Sequence, residues 1–597
     1  LSPLLLALGL MGAAAGAFLH VRLRPGSFRL EPWLFTALAA LMFCMAFNAH
    51  LSTTFLLRMN GFGLYRPDGL GLHVAAEVLF FLLLPAAFVL PGYYFADVFH
   101  RTRGPYAAYA AHVLGFLAGG PAGLWIVLRW GPETGLGACV VLLIGFMARR
   151  RPVYALLFLA AAGAVLAWAP RAPRLFFTWS VRDYRVVESV WSPYYKIDFI
   201  SFDDDQCMAG VYNNLVMYYS CKDPMRAHLQ TRQIYRELAR GRENILVIGG
   251  SMGTAASYMV EYQDSMKQAV SVELDPVVTD RARGRYARYS NYALRRSDVR
   301  AVASEGRVSL DGDDTEYDLI FMDGLDNRLF FAPMGPVAVE NYLFTREGLE
   351  MVTDHLSEDG ILNIDLGGVT DVSYIAPFLA GLPDDVHYEV FWYVVPDYPM
   401  VGMALYFIVA GRNEAAVVRA AAHVKSLPSV IHVDPPPHAP AWPPPTDNRP
   451  MLEAPGGGVN AVSVLLPGLL AAAGLAWVWR SKRLHGAPSS FPLFVFAFLG
   501  IFYIFAEFAV ILKHAPLFAG PAYGAVWLSA VFLGGSFFAN AAFVYLQRLG
   551  VRVLLVLGGV CAGGAAMALW ASAAGWGTVP QTASALVFAA GLFTGFF

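Results

Sequence analysis

Charge is scarce in this chain. Only 15% of its 597 residues are Asp, Glu, Lys or Arg while 57% are hydrophobic, and the mean hydropathy is +0.48. So little charge excludes an ordinary soluble protein and makes the membrane the expected environment. Neither end carries a basic run, and 43 Lys and Arg against 45 Asp and Glu leave a net charge of −2, which removes the electrostatic case for nucleic acid. Cysteine is also sparse: of five, Cys44, Cys139 and Cys561 lie in apolar stretches. No metal site is expected. The chain lacks an initiator Met and ends at Phe597 in an apolar run, so both ends are expected to lie within longer hydrophobic segments. The first such segment reads as a transmembrane helix rather than a signal peptide.

A hydrocarbon core of ~30 Å takes about 20 apolar residues per helix. Segments of that kind fall near 2–19, 33–57, 71–97, 104–128, 134–148 and 152–169, and again near 460–479, 490–512, 517–546, 553–574 and 581–597. Residues 1–170 therefore read as about six transmembrane helices and 457–597 as about five. Between them the texture changes to mixed charge with alternating strand and helix patterns. Residues 175–240 read as a small β-domain with a connecting helix, 241–433 as an α/β Rossmann-like domain and 434–456 as a proline-rich linker or a lid pressed on the domain. The fold class expected is thus a polytopic α-helical membrane protein with an inserted α/β domain.

Lys and Arg are retained in cytoplasmic loops, so their distribution orients the chain. The loops after the first, third and fifth spans hold Arg22, Arg24, Arg29, Arg101, Arg103, Arg149, Arg150 and Arg151, whereas those after the second and fourth hold only Arg58, Arg66 and Arg129. The C-terminal spans agree, with Arg480, Lys482, Arg483, Arg548 and Arg552 against Lys513. The reading is a multi-pass protein of a bacterial inner membrane with the inserted domain on the periplasmic side. Cys207 and Cys221 flank an expected β-hairpin and could pair across it in an oxidising compartment, the alternative being two unrelated thiols.

Residues 244–253, NILVIGGSMG, read as a buried strand entering a glycine-rich turn, with Gly249, Gly250 and Gly253 allowing the tight backbone and the approach of a ligand. In VELDP, Glu273 ends the next strand, where a carboxylate can hold both hydroxyls of a ribose. YDLIFMDGLD places Asp323 and Asp326 at the ligand edge of the same sheet. Each has a structural alternative: the glycines serve any such turn, Glu273 could serve fold geometry alone, and the two aspartates could simply cap the strand end.

These segments resemble the spermidine synthase (polyamine aminopropyltransferase) family over most of 185–412. GGSMGT at 249–254, VELDP at 272–276, SEGR at 304–307, DGLDN at 323–327, LFTREGLEMVTDHLSEDG at 343–360 and PDYPMVGM at 396–403 follow the family's motif order, and WSPYYKIDFISF at 191–202 suits its small leading β-domain. The resemblance implies a class I methyltransferase-like Rossmann fold in a membrane-fused form. Its site would comprise Asp323, Asp326, Tyr235 and Tyr398 as catalytic residues, with Gly249, Gly250, Gly253, Glu273 and Glu305 around the adenosyl group. It also implies transfer of an aminopropyl group from decarboxylated S-adenosylmethionine to a polyamine such as putrescine. No other cofactor is implied.

The site diverges in two places. Met252 stands where the family has an Asp that holds the donor's amino group, and QTRQIYREL at 230–238 puts Arg232 and Arg236 where the family carries acidic and histidine side chains. Besides transport through the helices with the domain as sensor, two functions are expected from the sequence. One is a catalytically degenerate domain serving as an extracytoplasmic docking subunit of a membrane complex, with membrane or periplasmic proteins as partners. The other is a membrane-bound aminopropyltransferase-like enzyme with an altered acceptor, or another transferase that uses an S-adenosylmethionine-type donor. Asp97, Glu77 and Glu507 lie in or near expected spans and are functional candidates by position.

Overall fold

The computed structural model describes residues 184–192, 194, 196–212, 216–222, 229–260, 265–323, 339–366, 375–394, 404–427, 430–433 and 444–447, together with helical positions scattered over 13–160 and the helical segments 521–546, 584–589 and 592. The chain divides into two units, one of Leu1–Asn48, Ala75–Pro170 and Ala461–Phe597, the other of Ala49–Val74 and Arg171–Asn460.

In the second unit the chain first forms a four-stranded antiparallel meander: β1 (Tyr184–Trp191), β2 (Lys196–Phe202), β3 (Cys207–Tyr212) and β4 (Val216–Cys221). Alternation makes one face of this sheet apolar: Ile197 and Phe199 of β2 and Met208 of β3 are buried together. Cys207 and Cys221 are direct partners across β3 and β4 and are joined by a disulfide.

The helix α1 (Leu229–Ala239) leads into the main sheet, whose elements follow as β5 (Asn244–Ile248), α2 (Thr254–Val260), β6 (Gln268–Glu273), α3 (Pro276–Arg283), β7 (Val299–Ala303), α4 (Gly306–Leu310), β8 (Tyr317–Met322), α5 (Arg346–Asp354), β9 (Leu356–Leu366), α6 (Ala376–Leu379), β10 (His387–Val394), β11 (Ala404–Gly411), α7 (Glu414–Lys425) and β12 (Val430–Val433). The strand order is β12-β10-β11-β9-β8-β5-β6-β7. Strands β7, β6, β5, β8 and β9 are parallel, and β11, β10 and β12 join antiparallel at the far side. This is the α/β architecture expected from the motifs, preceded by the small β-sheet.

Parallel strands covered on both faces must be apolar on both, and β5 shows it. Ile245 and Val247 enter a core shared with α1, α2 and α7, while Leu246 and Ile248 enter a second core shared with α5. Helix starts are written locally. Asp275 caps α3 through the Val277 N–H with Pro276 in the first turn, Thr345 caps α5 through the Gly348 N–H, and Asn413 caps α7 through the N–H groups of Ala415 and Ala416.

The small sheet is fastened to the main domain by charge as well as by packing. Glu188 of β1 accepts hydrogen bonds from Arg281 of α3 at 2.9 and 3.2 Å and from the Tyr286 hydroxyl at 2.9 Å. Burial pushes the Glu188 carboxyl up, but these hydrogen bonds and the arginine charges together hold it below the usual carboxylate range. In the turn between β2 and β3, Asp205 accepts from the hydroxyls of Ser201 and Tyr289 and from Lys222 and Arg288. The Tyr289 hydroxyl leads the interactions that hold Asp205 well below the usual range.

In the first unit, the helical residues 13, 15, 16, 19 and 20 lie close against the helical residues 88, 89, 92, 93 and 95–98. A Cβ at Gly16 would collide with the backbone of Val89 and Tyr93, and one at Gly92 with that of Ala13. Small residues allow this approach. One turn further on, buried His20 and Asp97 are 3.0 Å apart and the Tyr93 ring meets His20 edge-on. Contact partners rise together along the two helices, as they do in a parallel pair. The helix Pro521–Leu546 carries no charged residue. Among the described residues no helix is long and apolar enough to cross a membrane. Most of the expected spans lie outside the described residues.

Candidate functional site

The carboxyl ends of β5, β6, β8 and β9 finish at one level. Ile248 pairs with Val272 and with Met322, and Met322 with Ile364. The residues that follow these are Gly249, Glu273, Asp323 and Asp365, so three carboxylates stand in one row at the edge where ligands bind in open α/β sheets.

After β5 the chain must reverse into α2 within a few residues. Gly249 and Gly253 take φ of +94° and +80°, a left-handed region open to glycine. At Gly250 any Cβ would sit 2.2 Å from Ser271 Oγ. The N–H groups of Gly249 and Gly250 both donate to Val272 O, at 2.9 and 2.8 Å, which fixes the turn on β6. Ser251 is itself left-handed, at φ +44°, a strain of about 1 kcal/mol for a residue with a Cβ. Glu273 offsets it by accepting the Ser251 N–H at 2.7 Å, and its other oxygen accepts the Asp275 N–H at 3.0 Å. The residue singled out for a ribose thus also braces the turn. Each carboxylate oxygen has two lone pairs, so bracing does not exhaust its capacity to accept hydroxyls.

Asp323 follows β8 and donates its N–H to Ile248 O at 2.9 Å. Its side chain is only partly open to solvent, and desolvation pushes its pKa up to about 6, with the Tyr235 hydroxyl pulling the other way by hydrogen bonding to the carboxylate. Tyr235 is 2% exposed on α1, packed against Phe321 with ring centroids 4.4 Å apart. Asp365 is a site residue that the sequence reading does not single out. Met322 and Ile364 face the second core, whereas Phe321 and Phe407, the partners of Asn363 and Asp365, face the first; Asp323 and Asp365 therefore share the Tyr235 side of the sheet. The available signal is a lone acid ending an apolar strand, ILNID, beside another strand that ends in one.

Met252 is not part of this polar row. It is 1% exposed and packs with Ile197, Phe199 and Met208 of the small sheet, Val278 of α3, and Tyr286 and Tyr289. The glycine-rich turn is thus pinned to the preceding β-sheet by an apolar side chain. Glu305 caps α4 by accepting the Val308 N–H at 3.0 Å. Gly306 packs closely, because a Cβ there would meet the side chains of Ile248 at 2.8 Å and Leu343 at 2.9 Å and force them to shift. Arg236 is exposed on α1, and the Arg232 side chain lies outside the described residues. Asp326 and Tyr398 also lie outside them. Among the described residues no three His, Cys, Asp or Glu side chains are grouped so that they could hold a metal ion together.

The proline-rich segment reaches this domain. Pro445 O accepts the Arg346 N–H at 2.9 Å, and Asp447 takes a two-pronged contact from Arg307 at 2.7 and 3.0 Å.

Residues 230–417 match the spermine/spermidine synthase domain family. No curated protein matches the chain. Among solved structures, the spermidine synthase from Thermotoga maritima is 18% identical over 39% of this chain and 75% of its own, with a TM-score of 0.32. A spermidine synthase in complex with the transition state analogue AdoDATO gives 19%, 39%, 74% and 0.31. A probable spermidine synthase from Corynebacterium glutamicum gives 15%, 42%, 91% and 0.32. Within its polar unit, then, this chain carries a domain similar to the spermine/spermidine synthase domain.

Proposed function

We propose that the chain is a multi-pass membrane protein whose spermidine-synthase-like domain transfers an aminopropyl-type group from an adenosyl sulfonium donor to an amine. The observation that carries this reading is Asp323. Asp323 stands in one row with Glu273 and Asp365 at the edge where open α/β sheets bind ligands, on the Tyr235 side of the sheet, and burial raises its pKa to about 6. The same group is well matched to accept a proton near neutrality.

The residues fit one part of such a donor and not another. The glycine-rich turn and Glu273 suit a nucleoside, whereas Met252 cannot receive an ammonium group. A donor amino group would have to be met by the other carboxylates of the row. The donor supplies an electrophilic carbon beside a sulfonium sulfur. The amine nitrogen forms its bond to that carbon as the carbon–sulfur bond breaks, the sulfur leaves as a neutral thioether, and the nitrogen's surplus proton passes to the Asp323 carboxylate. Asp365 lies on the same side of the sheet and favours a cationic acceptor.

Purified full-length protein incubated with decarboxylated S-adenosylmethionine and putrescine should release methylthioadenosine, and Asp323→Ala should abolish the release. Release that Asp323→Ala leaves unchanged would overturn the assignment.

A second reading has its own observation. Met252, buried against the small sheet, removes a polar contact from the donor side, which favours an extracytoplasmic docking subunit that retains the fold without the reaction. It predicts no turnover and a stable membrane or periplasmic protein co-purifying at fixed ratio.

The charge asymmetry of the short loops and the Cys207–Cys221 disulfide both support placing the domain outside the cytoplasm of a bacterial cell. A cysteine introduced at exposed Val418 should then react with an impermeant maleimide in intact cells. Reaction only after lysis would reverse the placement.

A further inference from the structure

We propose that Asp447 is a positioning residue for the nucleoside side of the site, acting through Arg307 and α4; this rests on the functional reading above. The contact is built from several directions. Arg307 Nη1 and Nη2 donate to the two Asp447 oxygens at 2.7 and 3.0 Å, a fork that fixes direction as well as distance. The hydroxyl of Thr345, a wholly buried residue, is 2.7 Å from Asp447 Oδ1, and the Asp447 N–H donates to Glu347 at 3.0 Å. Pro445 O receives the Arg346 N–H. The segment 444–447 therefore touches three consecutive residues at the start of α5 and one residue of α4.

What it holds is a short element with little of its own to fix it. The helix α4 has five residues, too few to be stable by propensity. Yet Gly306 lies against Ile248, the residue before the glycine-rich turn, and Glu305 caps the helix through the Val308 N–H. Arg307 is the next residue in this run. An aspartate 140 positions away thus closes on Arg307 of α4 and on Thr345 and Glu347 at the start of α5, and so joins the two.

The test uses the full-length protein in detergent, with methylthioadenosine as the probe. Asp447→Ala should speed amide hydrogen exchange over residues 306–310 by about tenfold or more and weaken probe binding by about tenfold, the scale of one charge-assisted contact, with exchange in β5 and β6 unchanged. Asp447→Asn, which keeps the shape and loses the charge, should fall between. Wild-type exchange over 306–310 in both variants would overturn the proposal. If Asp447→Ala loosens the whole sheet, Asp447→Asn decides: a change confined to α4 sustains positioning, and either a global change or none overturns it. A wild-type chain that fails to bind methylthioadenosine would sink the functional reading, while the exchange data would still decide whether Asp447 holds α4.

Discussion

Asp323 and Asp365 each follow by one residue the register pair Met322–Ile364, so adjacent parallel strands end in carboxylates at the same level and on the same side of the sheet. Neighbouring strands are roughly 5 Å apart, close enough for the charge of one carboxylate to be felt by the other.

Asp323 makes the stability of the fold depend on pH. The folded-state pKa of Asp323 is about 6 against an ordinary value of 3.8, so the folded protein binds this proton more tightly than the unfolded chain does. Stability contributed by the proton is present at low pH and is lost as pH rises from about 4 through about 6. Asp323→Asn should therefore raise the unfolding midpoint at pH 8 and leave it unchanged near pH 3. Turnover in the wild type should rise with an apparent pKa near 6. A midpoint difference independent of pH would contradict this.

Met252 should behave as a core residue. Met252→Leu should cost less than about 1.5 kcal/mol and Met252→Ala about 2–5 kcal/mol, read from denaturant unfolding. Met252→Asp should unfold the junction with the small sheet instead of improving donor binding, because its carboxylate would enter an apolar cluster.

Removing Glu188 tests the polar half of that junction. Its folded pKa is lowered, so its contribution is present above the ordinary carboxylate range and is lost as pH falls through the folded value. Glu188→Gln should destabilise at pH 7 by about 1.5–3 kcal/mol and much less at pH 3, as measured by thermal unfolding at both values.

The disulfide gives a chemical test. Cys207 and Cys221 should resist alkylation in the unfolded, non-reduced protein and react after reduction, as seen by mass spectrometry. Their loop of about 15 residues sets the expected loss in Cys207→Ser/Cys221→Ser at about 3 kcal/mol. Immediate alkylation in the absence of reductant would refute the pairing.

The α/β architecture is legible in the sequence because its signals are local: NILVI announces a buried strand, the glycines a turn that side chains cannot enter, and Asp275 with Pro276 a helix start. Glu273 and Asp323 are legible for the same reason, each being the acid that ends an apolar strand. Asp365 carries the same local signal in ILNID, but what makes it a site residue is its register with β8, and register belongs to strand pairing. The linker's proline content suggests a lid, but nothing local names Arg307 as the partner of Asp447, 140 positions away.

By itself the sequence determined the alternation of strands and helices, the glycine-rich turn and the scarcity of charge that separates the apolar segments from the polar unit, since each depends on backbone sterics or hydropathy over a short span. Only the tertiary structure decided that Met252 is buried against a second sheet, that Glu273 braces the turn and that three carboxylates stand in one row. Those outcomes depend on packing and hydrogen bonds between residues far apart in the chain, which propensity along the chain does not encode.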